Sequence, residues 1–277
     1  MITYPCAKIN LGLNIVKKRS DGYHELQTVF YPIKLTDILE IECITDDSKT
    51  SACDLETTGI PIVCKEKENL VVKAYNLIAN DYNLPRIHAH LYKNIPSQAG
   101  LGGGSSDATF MICLLNKKFN LNMSTSEMER YAAKLGADCA FFVTAKTAYA
   151  TGIGEILKPA KCSLDNLDKY YIGIVKPDIA ISTKEAFAHI RPMTPNKCCS
   201  DIVRQPIDTW RNELVNDFEQ PIFALHPQLK DIKEHMYKLG AVYAQMSGSG
   251  SSVFGIFSKQ VNLSAEFKNM FVFFEKL

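Results

Sequence analysis

A nine-residue run, Gly100-Leu101-Gly102-Gly103-Gly104-Ser105-Ser106-Asp107-Ala108, carries the strongest chemical signal in the chain. Glycines lack a Cβ, so neighbouring backbone N–H groups can turn inward together. The stretch after the glycines reads as helix, roughly from Ser105 to Asn116. A helix that starts at the serines adds its unpaired N–H groups and the positive end of its dipole at the same point. The combination predicts an anion cradle, and phosphate is the usual occupant of such a cradle. A flexible glycine linker is the plain alternative, but apolar residues flank the run closely on both sides. The chain is therefore expected to handle a nucleotide. The run is not a Walker A loop, since no Gly-Lys-Ser/Thr follows the glycines. It is not a dinucleotide fingerprint either, because Ser105 stands where the third glycine is needed.

Other candidates for chemistry are weaker. His88 and His90 share one face of an expected strand at a spacing that suits a metal. A solvated strand face is the preferred reading, and no metal ligand is assigned. Nine cysteines are scattered with no C-x-x-C pair, and Cys198 and Cys199 are adjacent. That pattern is neither a disulfide framework nor a zinc site. Reduced thiols are expected.

Elements that position the run are legible around it. Ala7–Val16, Leu26–Ile33 and Ile87–Tyr92 read as strands, the last leading into the glycines. Over Ile38–Ile44, Leu39, Ile41 and Cys43 face one way, and Ile38, Glu40, Glu42 and Ile44 the other. Asn69 can cap a helix bearing Leu70, Val71, Ala74, Leu77 and Ile78 at helical spacing. Ser124-Thr125-Ser126-Glu127 is a capping-box pattern that opens another helix, with Gly136 near its end. Lys158 to Asp168 reads as a connection between domains. Beyond it, helices are expected at Thr183–Ile190, Thr209–Asn216 and Pro227–Leu239. Strands are expected at Tyr170–Val175 and, either side of a small-residue loop, at Val242–Met246 and Val253–Phe257.

The 277 residues suffice for one large domain or two ordinary ones. A net charge of +1 lacks the basic excess of a dedicated nucleic-acid binder. No apolar run reaches the length of a membrane span, and the N-terminus lacks a signal-peptide pattern. A soluble, cytoplasmic protein, monomeric or homodimeric and without nucleic-acid or membrane partners, is expected.

Three separated segments resemble one family, the GHMP kinases, which include galactokinase, homoserine kinase and mevalonate kinase. Pro96-Ser97-Gln98-Ala99-Gly100-Leu101-Gly102-Gly103-Gly104-Ser105-Ser106 resembles their phosphate loop. Ala7-Lys8-Ile9-Asn10-Leu11-Gly12-Leu13 resembles their first motif. Met246-Ser247-Gly248-Ser249-Gly250-Ser251-Ser252 resembles their third. Two further segments, Arg19-Ser20-Asp21-Gly22-Tyr23-His24-Glu25-Leu26 and Leu135-Gly136-Ala137-Asp138, are similar to the branch that acts on a cytidylyl-linked sugar alcohol.

The resemblance implies an α+β, two-domain GHMP kinase fold. A ribosomal protein S5 domain 2-like N-terminal domain (1–158) is followed by an α/β C-terminal domain (159–277), with the active site in the cleft between them. It implies ATP-dependent phosphorylation of the 2-hydroxyl of cytidine diphosphate-linked methylerythritol, a step of the non-mevalonate route to isoprenoid precursors. Mg²⁺ is expected to travel on the nucleotide phosphates. Asp138 is implied as the base, and Lys8 is expected near it, keeping it ionised and stabilising charge on the acceptor oxygen. Asn10, Tyr23, His24, Thr183 and Phe187 are implied for the cytidylyl substrate, Tyr23 and Phe187 as stacking rings. As plain sequence, Phe187 is equally a helix core residue.

For ATP the resemblance implies Asn69, Leu70, Lys93 and Pro96, with Gly100, Leu101, Gly102, Gly103, Gly104, Ser105 and Ser106 on the phosphates. As plain sequence, Asn69 is a helix cap and Lys93 a strand-end charge. The Gly248–Gly250 loop is read as a hairpin turn, as a close approach to substrate or the first domain, or as both. Asp107 stands where some members have Asn. A kinase for another small alcohol, such as homoserine or mevalonate, and a non-catalytic domain of the same fold are the remaining alternatives.

Overall fold

The computed structural model describes residues 1–44, 51–62, 64–165 and 169–277. Residues 166–168 of the expected connection lie outside the described residues. In chain order the strands are β1 (Ile2–Thr3), β2 (Cys6–Lys18), β3 (His24–Thr36), β4 (Ile38–Cys43), β5 (Cys53–Gly59), β6 (Ile87–Lys93), β7 (Ala148–Thr151), β8 (Ile156–Pro159), β9 (Tyr171–Lys176), β10 (Ala241–Met246), β11 (Val253–Phe257) and β12 (Phe271–Lys276).

By contacts the chain divides into two compact units, and neither is one continuous stretch. One comprises residues 1–7, 35–97 and 102–145; the other comprises 8–34, 98–101 and 146–277. This differs from a single cut at 158/159. The long strands β2 and β3 belong largely to the second unit because they share a sheet with β7 and β8, in the order β2-β3-β7-β8.

The first unit is built on a sheet of order β1-β4-β6-β5, with β4 antiparallel and β5 parallel to β6. Alternation decides which face is covered. Ile87, Ala89 and Leu91 are buried and pair with Cys43, Ile41 and Leu39, whereas His88, His90 and Tyr92 point to the other face. Three helices cover the apolar face: α1 (Leu70–Ala79), α2 (Gly103–Phe119) and α3 (Thr125–Ala133). Val71, Ala74, Ile78, Met111 and Leu115 are fully buried against the strands. Each large aliphatic side chain in such a core contributes about 1.5–3 kcal/mol.

The helix signals hold. Asn69 Oδ1 accepts the N–H of Val71 at 2.9 Å. Ser124 and Glu127 form a reciprocal capping box at the start of α3.

The second unit contains, besides the β2-β3-β7-β8 sheet, an antiparallel sheet of order β10-β11-β9-β12. The helix Pro227–Lys238, with proline at its first turn, packs Leu229, Ile232 and Met236 into the same core as Val175, Met246 and Val253. Among the described residues no helix is long and apolar enough to cross a membrane.

Three element boundaries depart from the sequence reading. Helix α2 begins at Gly103, not Ser105, and runs to Phe119. Gly103 and Gly104 are poor helix formers, which hides them from a propensity reading. Lys158 and Pro159, read as connection, end strand β8, where they pair with Tyr149 and Ala148. The helix expected over Thr209–Asn216 is reduced to a 3₁₀ turn at Ile207–Thr209 and one α-turn at Trp210–Glu213.

Candidate active site

The glycine run is divided between the two units. Its second part, from Gly102, belongs to the first unit and ends in the N-terminus of α2. Gly102 takes a left-handed conformation (φ 70°) as the cap of this helix. The first intrahelical bond onto this cap is Ser106 N–H to Gly102 O at 2.9 Å. The N–H groups of Gly103, Gly104 and Ser105 therefore have no carbonyl partner within the helix. Gly104 is exposed. Such a set of aligned donors at the positive end of a 17-residue helix fits an anion such as a phosphate group.

Below this turn the chain buries charge. Lys93, at the end of β6, donates to Asp37 and, at 2.7 Å, to Asp107 Oδ2. Asp37 Oδ1 accepts the backbone N–H groups of Asn94 (2.6 Å) and Ile95 (2.8 Å), so the triad also fixes the segment that enters the loop. All three side chains are at most 4% exposed. Burial tends to lower the Lys93 pKa, but the two carboxylates outweigh it and the net direction is up. Burial likewise pushes the Asp107 carboxyl up to about 8, against the pull of Lys93. Asp107 thus turns inward from the first turn of α2. Ser106 Oγ and Asp107 Oδ1 are buried with no protein partner among the described residues.

Asp138 lies in the same unit, at the cap position of a 3₁₀ turn, Cys139–Val143, and makes no side-chain cap bond there. Its segment is tied to the start of α2. Thr109 Oγ1 donates to Cys139 O at 2.8 Å and to Ser105 O at 2.9 Å. A Cβ added at Gly136 would stand 3.9 Å from Ser105 Oγ.

In the second unit, residues from all three separated motifs meet. Lys8 is 3% exposed, and its Nζ donates to Asn10 Oδ1 at 2.6 Å and to Gly100 O at 3.0 Å. Its ammonium also stands 5.1 Å from the centre of the Phe30 ring. Asn10 Nδ2 donates to Thr28 Oγ1 at 2.9 Å, and Thr28 in turn donates to Gly12 O at 2.6 Å. Ser247 Oγ donates to Gly100 O at 2.8 Å and accepts the Asn10 N–H at 3.3 Å. Leu101 O accepts the Lys8 N–H at 2.9 Å. The loop 247–252 is a hairpin connection, since Met246 pairs with Val253, and it also approaches Gly100 closely.

The cytidylyl candidates lie in this unit too. Asp21 and Gly22 turn the chain from β2 into β3, closed by Arg19 N–H to Tyr23 O at 2.8 Å. Tyr23 is 60% exposed. His24 stacks on Phe187, ring centres 4.7 Å apart and planes at 16°. Phe187 meets Phe218 edge-on at 4.9 Å and is partly buried against the core. Burial, and secondarily Lys18, lowers the His24 pKa. Thr183 is exposed at the first position of α4 (Thr183–Ala188), which Ser182 caps through Glu185 N–H.

Of the residues assigned to the adenine end, Asn69 caps α1, Leu70 is half-buried beside Gly104, Pro96 is buried, and the Lys93 ammonium is held by the two aspartates. Lys8 and Asp138 fall in different units. His88 pairs with Asp54 at 2.6 Å and His90 with Thr58 at 2.8 Å. Among the described residues no three His, Cys, Asp or Glu form a metal cluster. Sequence reasoning missed Asp37 and Thr28. Asp37 carried a faint signal, an acidic residue between two apolar strand segments.

Residues 69–146 match the GHMP kinases N terminal domain and residues 200–271 the GHMP kinases C terminal family. A 4-diphosphocytidyl-2-C-methyl-D-erythritol kinase of Bacteroides fragilis is 49% identical over 274 residues, 99% of this chain and 98% of that protein. A protein of the same name from Bacteroides thetaiotaomicron is 50% identical over 95% of this chain and 94% of its own length. Among crystal structures, a 4-(cytidine 5'-diphospho)-2C-methyl-D-erythritol kinase matches with a TM-score of 0.77 at 32% identity, covering 92% of this chain and 89% of that one. The mevalonate kinase of Methanococcus jannaschii shares the fold, with a TM-score of 0.70 at 14% identity over 100% of this chain and 98% of its own. With identity near one half sustained over its whole length, the chain belongs to the 4-diphosphocytidyl-2-C-methyl-D-erythritol kinases, a branch of the GHMP kinases.

Proposed function

We propose that this chain transfers the terminal phosphoryl group of ATP to the 2-hydroxyl of 4-diphosphocytidyl-2-C-methyl-D-erythritol. The observation that carries the reading is the open start of α2, where Gly103, Gly104 and Ser105 present backbone N–H groups without helix partners. The choice of acceptor rests on the names of the relatives and on Tyr23, His24 and Phe187, which supply rings for a cytosine base.

Phosphoryl transfer asks for positioning and charge stabilisation more than for covalent chemistry. The amides of Gly103 to Ser105 and the Ser105 hydroxyl would hold the phosphates. Asp138 would accept the proton of the acceptor hydroxyl as that oxygen bonds to phosphorus. Lys8, anchored by Asn10 and Gly100, would stabilise the charge gathering on the same oxygen. Asn10 and Thr183 would orient the acceptor. His24 covers one face of Phe187, so a base that stacks on Phe187 would displace the imidazole or stack beside it. Asn69, Leu70 and Pro96 would border the adenine, with Lys93 acting through its place at the strand end.

Magnesium would arrive on the triphosphate and supply Lewis-acid neutralisation of its charge. It typically keeps several waters and binds through substrate phosphates. Site of action is proposed as the cytoplasm.

The test is ADP release, with and without Mg²⁺, against the diphosphocytidyl methylerythritol, free methylerythritol, mevalonate and homoserine. Turnover confined to the cytidylyl alcohol is expected. Equal turnover with mevalonate or homoserine would overturn the assignment.

A further inference from the structure

A residue outside the three motifs holds the Ser247 loop from below. Asn216 is 3% exposed. Its Nδ2 donates to Met246 O and to Gly248 O, both at 2.8 Å, and its Oδ1 accepts the Phe218 N–H at 3.0 Å. The two carbonyls flank Ser247. Each hydrogen of one amide group is thus matched to one carbonyl, and a flipped amide would set its oxygen against both. Neighbours on the same segment reinforce the grip. Glu219 Oε1 accepts the Met246 N–H at 2.8 Å while Lys233 binds its other oxygen at 2.7 Å. Asp217 Oδ2 accepts the Ile15 N–H at 2.7 Å, and Asn216 bridges to Leu13. One short segment therefore touches both the strand that carries Lys8 and Asn10 and the loop that carries Ser247.

Ser247 is the relay. Its hydroxyl donates to Gly100 O, and that carbonyl is also the acceptor that, with Asn10 Oδ1, anchors the Lys8 ammonium. Gly100 has no slack: a Cβ there would fall 1.9 Å from Ser247 O. A shift of Ser247 is consequently passed to Gly100 and to Lys8. Misplacement of a catalytic group by about 1 Å costs up to about 100-fold in rate.

We propose that Asn216 is a positioning residue for phosphoryl transfer, acting through Ser247 on Gly100 and on the Lys8 ammonium. The proposal rests on the kinase reading above, with Lys8 at the reacting oxygen.

The experiment uses the full chain, ATP and the diphosphocytidyl methylerythritol, and measures kcat, KM for each substrate and the melting temperature. Asn216→Ala and Ser247→Ala are compared with the double variant. Each single substitution is expected to lower kcat by about 10- to 100-fold, with KM for the cytidylyl alcohol changed less than threefold. The double variant is expected to be no worse than the more impaired single, because both substitutions break one chain of contacts. If Asn216→Ala does not fold, Asn216→Ser, which keeps one donor, carries the same cycle with a smaller loss. A kcat within threefold of the parent, or single effects that multiply in the double variant, would overturn the proposal while the kinase reading stands. A parent that releases no ADP would overturn the kinase reading, and the proposal with it.

Discussion

Gly100 and Gly104 lie four residues apart in one glycine run, yet a methyl group added to each meets opposite surroundings. At Gly100 the added carbon would lie 1.9 Å from Ser247 O and 2.8 Å from its carbonyl carbon, with the backbone already at φ +71°. At Gly104 the nearest described atom outside its own helix backbone is Leu70 Cδ1, at 3.8 Å. The first glycine lets two stretches of this chain approach each other. The second leaves a helix N-terminus bare. In the closed half the Gly100 carbonyl accepts from Lys8 and Ser247; in the open half the amides of Gly103 to Ser105 have no partner within the helix. One compositional signal, a run of glycines, thus covers two physical jobs, and the units divide between them at residues 101 and 102.

On the proposed reading the open side meets the nucleotide, and Asp138, in the same unit, carries the largest expected effect. Asp138→Asn should lower kcat by about 10²–10⁴-fold, with little change in ATP affinity. Asparagine keeps the size and shape of the side chain, so the urea midpoint should move little beside the loss of rate. Steady-state kinetics beside urea unfolding would check both. A variant with near-normal turnover and lowered stability would make Asp138 part of the framework instead.

Gly100→Ala comes next and strikes the closed side. The left-handed conformation costs a residue with a Cβ about 1–2 kcal/mol. Overpacking against backbone adds a further ~1–3 kcal/mol. A fall in the urea midpoint equivalent to about 2–5 kcal/mol is therefore expected. An unchanged midpoint would show that Ser247 can retreat, and would break the contrast with Gly104.

Asp107 sharpens the comparison from beneath. Burial raises its carboxyl pKa to about 8, while an unfolded aspartate titrates near 3.9. The folded chain then holds a proton that the unfolded chain releases between those values. Its contribution to stability is fully present below about pH 4 and is lost as pH rises toward 8. Asp107→Asn removes that titration while keeping the shape, so the decline in urea midpoint from pH 5 to pH 8 should be shallower than in the parent. Asp217 and Glu219, also raised by burial, tilt parent and variant alike. Equal declines would mean that Asp107 stays ionised beside Lys93.

What could be read from residue order was local. The cap at Asn69, the capping box at Ser124 and the alternation of Ile38–Cys43 depend on neighbours within a few positions, and each stands as expected. The three motifs were visible as segments, and Lys8, Asn10, Gly100 and Ser247 do meet. What could not be read was pairing at a distance. Lys93 looks like a lone strand-end cation until Asp37, 56 positions away, folds against it. Lys158 and Pro159 look like a linker because their strand exists only through pairing with Ala148 and Tyr149. Asn216, expected as the last residue of a helix, is buried instead by carbonyls some 30 positions onward. Propensity misled at one further point, the start of α2, where the glycines that disfavour helix are the residues whose bareness keeps its end open.

The smallest effect expected on the fold is the most discriminating one. Gly104 sits inside the first turn of α2, where its conformation suits any residue and where alanine is the better helix former by up to about 1 kcal/mol. Gly104→Ala should therefore leave the urea midpoint unchanged or raise it slightly. The same methyl would project beside the amides of the helix start, so KM for ATP should rise while KM for the cytidylyl alcohol stays near the parent value. Crowding of a bound phosphate acts on nucleotide affinity; a framework role acts on stability first. If Gly104→Ala lowered stability and left the ATP KM alone, its bareness would serve packing, as at Gly100, and the two halves of the loop would not differ in kind.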